Sequence, residues 1–155
     1  MSPRAAARLQ QLGLTDVYDY AGGKLDWIDF GLPSEGAERN VGDVCRPGVP
    51  EVPPSQTVGG ILAGLADGWT WLVVVDPAGV VLGRVRRSRL GEDPTATASE
   101  VMDLGPATYR MSVPLAEIVP KMRSGGFERA LVTDPDGHLL GLFTRADAEA
   151  ALAAT

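Results

Sequence analysis

Residues 134–147 read DPDGHLLGLFTRAD, and residues 76–89 read DPAGVVLGRVRRSR. Both stretches keep Asp, Pro and Gly in frame, then an aliphatic run and a second glycine. Pro presets φ at the first corner of a turn and Gly accepts a positive φ at its end. Each stretch therefore predicts a hairpin joining two strands, with a helix after the second. The polar ends differ. Thr144 and Asp147 stand in the later copy where Arg86 and Arg89 stand in the earlier one.

Working outward, the same order of elements surrounds both stretches, so the chain from Val41 onward is a tandem repeat. VGDVC and ASEVMD predict short lead helices, and PGVPEVPP and PATYRM extended approaches. TVGGILAGLAD and PLAEIVPKMRS predict helices, and RSRLG and TRADAEAALAA closing helices. The strands TWLVVVD, VVLGRVR, RALVTD and HLLGLF are apolar at nearly every position, so both faces of each sheet need cover. Neither half can bury its own strands alone. Two halves related by a pseudo-twofold axis can, sheet against sheet with helices outside. The fold class is α/β (α+β), with segments 1–36, 41–95 and 96–155.

Before the repeats, PRAAARLQQL predicts a helix capped by Ser2 and stopped by Gly13, with Leu9 and Leu12 on one face and Arg4 and Arg8 on another. TDVYDY predicts a short strand, GGKLDWIDFGLP a short helix with Trp27 facing inward, and SEGAERNVGD a polar linker.

Apolar residues are 45% of the chain and charged residues 22%, ordinary for a soluble globular protein. The formal charge of -6, from 20 acidic against 14 basic side chains, argues against broad nucleic-acid binding. A single cysteine, Cys45, excludes an internal disulfide framework and fits a reducing cytosol. The N-terminus has no signal-peptide pattern, and Asp67, Asp76 and Pro77 break the longest apolar stretch, which argues against a membrane span. The expectation is a soluble, cytoplasmic protein.

The two repeats resemble a cystathionine β-synthase (CBS) domain pair. The resemblance runs from about Val41 to the C-terminus. Its strongest carrier is GLFTRAD, Gly141 to Asp147, which resembles the family's nucleotide-contacting pattern of Gly, Thr or Ser, and Asp. The resemblance implies a module without catalysis, an adenosine-containing ligand held in a cleft between repeats, and association into disc-like dimers. AMP, ADP, ATP and S-adenosylmethionine are the implied ligands.

The residue chemistry supports such a site. Thr144 sits where a strand passes into a helix, beside N–H groups that favour a phosphate. Asp147 can accept hydrogen bonds from both ribose hydroxyls. Arg145 adds charge nearby or faces solvent, and Thr108 resembles the family position that borders adenine. Phe143 reads as core. Thr144 and Asp147 are also an ordinary N-cap and first-turn acid, and that bland role stays open. In the first repeat Arg86, Arg87 and Arg89 replace the ribose-holding residues. Arg84 and Arg86 share a strand face and read as a solvated basic edge, or as contacts to an anion such as a phosphate tail.

SPRAAARLQQLGLTDVYDYAGGKLDWIDFGLPSEG resembles the C-terminal end of a rhodanese (sulfurtransferase) domain, through its S-x-R-A-A start, L-G-L-T-D-V-Y, Gly-Gly pair, Trp27 and G-L-P. That resemblance implies that the catalytic-cysteine loop would precede this segment. Cys45 does not match it and reads as a core residue. GGILAG lacks the Gly-Lys-Ser/Thr of a phosphate loop. His138 has no paired Cys or Glu at metal spacing and reads as an exposed strand residue. Asp16, Asp19, Asp26 and Asp29 read as solvated. Three functions follow in order: a regulatory sensor of an adenine nucleotide acting on an effector protein or its own homodimer, a ligand-free dimerisation module, and a truncated sulfurtransferase fusion.

Overall fold

One aspartate locks the turn of each repeat. In this computed structural model, which describes residues 3–18, 20–34, 38–66, 68–91 and 93–154, Asp76 Oδ1 accepts from the N–H groups of Ala78 and Val80, both at 2.9 Å. Asp134 Oδ1 accepts from His138 N at 2.8 Å. Gly79 and Gly137 close the turns at φ 90° and 93°, a conformation that a side chain would strain.

In chain order the elements are α1 (Pro3–Gln11), α2 (Gly23–Asp29), a 3₁₀ turn at Val41–Asp43, β1 (Glu51–Val52), α3 (Val58–Gly64), β2 (Trp71–Val75) and β3 (Val81–Arg86). A 3₁₀ turn at Arg87–Arg89 follows, then α4 (Ala98–Val101), β4 (Asp103–Leu104), β5 (Thr108–Tyr109), α5 (Leu115–Gly125), β6 (Arg129–Thr133), β7 (Leu139–Thr144) and α6 (Arg145–Ala153). The strands form two sheets, ordered β1-β2-β3-β4 and β5-β6-β7. Each repeat's extended approach pairs parallel to the first hairpin strand, Glu51 opposite Val73 and Thr108 opposite Leu131. The hairpins pair antiparallel, with Trp71 opposite Arg86 and Arg129 opposite Thr144.

The sheets meet through Val49, Val73, Leu131 and Leu142, all buried, and the two turns join where Val80 bridges His138. Helices cover the outer faces. α5 buries Leu115, Ile118, Val119 and Met122 against Val132 and Phe143. Each such side chain contributes about 1.5–3 kcal/mol of burial free energy.

The lead segments cross over. Val41 and Val44, which open the first repeat, lie in the core of the second. Ala98, which opens the second, lies in the core of the first with Val58, Ile61 and Leu72. Backbone bonds fix the crossing: Arg46 N donates to Leu142 O at 2.7 Å and Leu142 N to Arg46 O at 2.9 Å, while β4 pairs with β3. Gly141 permits it, since a Cβ there would collide with the Arg46 carbonyl.

Several sequence expectations change. TDVYDY forms no strand among its described residues, because no neighbouring strand lies beside it to pair with. Trp27 does not face inward. It is 36% exposed, its indole N–H donates to Pro33 O at 2.7 Å, and Ile28 is the residue α2 buries. Leu12 lies beyond α1 and is 66% exposed. Asp29 is not merely solvated, for its carboxylate accepts from Ser112 N at 2.8 Å and docks the N-terminal segment on the second repeat. His138 is half-buried, held by the Asp134 carboxylate at 2.7 Å. The first closing helix shrinks to the turn Arg87–Arg89, and the first lead helix to Val41–Asp43. The cap expected at Ser2 and the acids Asp19 and Asp67 lie outside the described residues. Among the described residues no helix is long and apolar enough to cross a membrane.

Candidate functional site

Thr144 ends β7 in extended conformation, φ -106° and ψ 154°, and so becomes the N-cap of α6. Its hydroxyl accepts from Asp147 N at 3.1 Å and donates to Asp147 Oδ2 at 2.7 Å. The hydroxyl and carboxylate therefore lie side by side at the positive end of a nine-residue helix. This is the N-cap of the bland reading, and it also presents a carboxylate beside a hydroxyl.

The second carboxylate oxygen is engaged. Arg46 Nη2 lies 2.6 Å from Asp147 Oδ1, reaching across from the crossed lead segment. The Arg46 side chain is 68% exposed and that of Asp147 28%. Such an ion pair is worth about 0–1 kcal/mol and opens at small cost.

Arg145 adjoins the pair but turns to Glu128 and Glu149, at 3.7 and 3.9 Å. Thr108 is exposed in β5 between Ala107 and Tyr109, on the same sheet as Thr144 with β6 between them. Those two neighbours line a cleft of about 210 Å³ that neither Thr144 nor Asp147 lines. Phe143 is fully buried, edge-on to Tyr109 with ring centres 6.2 Å apart.

The first repeat carries the same arrangement with its charges reversed. Arg86 ends β3, Arg89 lies in the closing turn, and both reach Asp103 on β4, at 2.9 and 4.0 Å. Where the second repeat sets an acid on the closing helix against an arginine on the lead segment, the first sets arginines against an acid. Arg84 lies over the Trp71 ring, 6.0 Å from its centre, and lines the 210 Å³ cleft with Arg129.

Cys45 packs beside the second core, and burial pushes its thiol up to about 11, away from nucleophilic use at neutral pH. Asp134, Asp136 and His138 bring potential metal-ligand atoms within 4.8 Å of one another. Both Asp134 oxygens already accept from His138, and the group serves as a turn lock.

Arg46 escaped the sequence reading. It lies 101 residues from Asp147, and only the crossing of the lead segments brings them together. Trp71 and Arg129 escaped it as well, since a strand residue beside a cleft has no local signature.

Residues 98–154 match the model of the CBS domain. The cytosolic domain of the Mg2+ channel MgtE in complex with ATP is 24% identical with a TM-score of 0.64, over 72% of this chain and 48% of that one. This chain thus spans about half the length of that structure. CBSX2 in complex with AMP is 25% identical with a TM-score of 0.63, over 74% and 96% of the two chains. A cystathionine β-synthase pair domain from Shewanella oneidensis MR-1 is 18% identical with a TM-score of 0.66, over 99% and 88%. No curated protein matches the chain by sequence. The two small sheets with their helices have the architecture of a tandem CBS pair, and the second repeat carries the CBS sequence pattern.

Proposed function

We propose that the chain is a regulatory module without catalysis, which binds an adenine nucleotide at Thr144 and Asp147. The ribose hydroxyls bond to Asp147 in place of Arg46. The phosphate meets the Thr144 hydroxyl and the N–H groups of the first turn of α6. One observation carries the reading: the hydroxyl and carboxylate sit together at a helix N-terminus, and their competing arginine is exposed. The AMP bound to CBSX2 and the ATP bound to the MgtE cytosolic domain support the ligand class. S-adenosylmethionine shares the adenosine part and belongs in the same panel.

Binding frees the Arg46 side chain on the lead segment. The output is a change in a homodimer or in contact with a separate effector protein. We read residues 1–36 as the end of a rhodanese-like domain, on their sequence pattern alone.

Titration calorimetry with AMP, ADP, ATP and S-adenosylmethionine tests the reading. At least one ligand binds the wild type and fails to bind Asp147→Ala. A second reading rests on the Arg46–Asp147 ion pair itself: the arginine fills the site from within, and the module only dimerises. Four silent titrations, with a dimer by light scattering, select that reading.

A further inference from the structure

Among the described residues ten large apolar side chains are exposed, and eight of them lie between Leu12 and Leu32. The other two, Leu62 and Leu104, belong to the repeats. Together the eight expose on the order of 800 Å², the share one partner brings to an interface of standard size. Single exposed apolar residues need no explanation, but such a concentration in one short segment marks a contact surface.

The segment holds a notch of about 400 Å³, lined by Tyr18, Tyr20, Gly23, Lys24 and Trp27. The Tyr20 and Trp27 rings stand at 90° with their centres 5.2 Å apart, so they meet as adjoining walls. Their polar ends are occupied. Tyr20 Oη donates to Asp26 Oδ2 and the Trp27 indole N–H to Pro33 O, both at 2.7 Å. The rings are therefore fixed and offer apolar faces, and Tyr18 stands 83% exposed beside them. Fixed aromatic walls take the proline rings of an extended chain, which has little conformational entropy left to lose. Lys24 adds a charge, and among the described residues no carboxylate oxygen lies within 4.0 Å of it.

The matching segment is in the same sequence. Residues 47–54 read PGVPEVPP, with Pro47, Pro50 and Pro53 at three-residue spacing around Glu51, a spacing found nowhere else in the chain. Pro47, Glu51 and Pro53 are exposed, and β1 within this run is an edge strand. Glu51 and Pro53 lie two residues apart in extended chain and so share a face. Glu51, like Lys24, has no ion-pair partner among the described residues.

We infer that the notch is a docking site for a second copy of this chain, whose residues 47–54 lay Pro53 against Trp27 and Tyr20 and set Glu51 beside Lys24. Notch and proline run are different patches, so a twofold pair makes the contact twice and leaves neither patch open. Neither patch includes Thr144 or Asp147, and the inference does not rest on nucleotide binding.

Sedimentation velocity of the full chain, without nucleotide and over a range of concentrations, tests the inference. The wild type self-associates, and Trp27→Ala and Tyr18→Ala each weaken the association about tenfold or more. Lys24→Glu and Glu51→Lys each weaken it about threefold to fivefold, because each sets like charges together. The two charge changes combined restore it to within about twofold of the wild type, which no general loss of structure reproduces. Thermal melts report folding, and the exposed Tyr18 keeps the test valid if Trp27→Ala does not fold. A chain that stays monomeric, an association that both aromatic variants leave unchanged, or a combined charge swap that restores nothing overturns the inference. A monomeric wild type that binds an unrelated acidic proline-rich peptide by calorimetry assigns the notch to another protein and overturns it as well.

Discussion

Single side chains decide what each repeat can hold. Removing Arg46 should strengthen nucleotide binding, because the ligand no longer displaces an ion pair. Arg46→Ala should tighten the bound adenine nucleotide by up to about fivefold, read by calorimetry at low salt and diminished at high salt. Asp134 acts on stability instead. Burial raises its pKa, but the hydrogen bonds from the His138 ring and backbone outweigh it and hold the group below its ordinary value. A carboxyl lowered in the folded state contributes stability that is full above its unfolded pKa and is lost as pH falls through the folded one. The wild type should therefore lose more melting temperature than Asp134→Asn between pH 6 and pH 3, and be more stable at pH 7 by about 1–2 kcal/mol. At this scale the pairing of Thr144 with Asp147 was legible because helix capping uses neighbouring residues. Arg46 was not, since its role exists only after distant segments meet.

At the scale of elements, hairpin and helix positions were readable because Pro, Gly and Asp fix their turns locally. The expected strand at TDVYDY failed because a strand needs a neighbour, and sequence pattern alone does not supply one. The expected burial of Trp27 failed similarly: a short helix has two plausible faces, and docking by Ile28 and Asp29 chose between them. The junction of β7 with the lead segment leaves no room for a side chain. Gly141→Ala sets a methyl against the Arg46 carbonyl and 2.9 Å from Cys45 Sγ. It should destabilise by about 1–3 kcal/mol in urea denaturation, because the lead segment at Arg46 must move away from β7.

The whole molecule is more tightly knitted than a tandem repeat suggests. The paired architecture was legible from two copies of one pattern, whereas the crossing was not, because chain order assigns each lead segment to the repeat that follows it. With Val41 and Val44 in one core and Ala98 in the other, neither half is complete alone. Leu72→Ala and Leu115→Ala, in different cores, should each cost about 2–5 kcal/mol and shift one shared unfolding transition. Two separate transitions by calorimetry would contradict this. The connection at residues 93–97 is what lets Ala98 reach back into the first core within one chain. Shortened, it would leave the same contacts available only from a neighbouring copy, and the monomer fold would become a domain-swapped pair of interlocked chains.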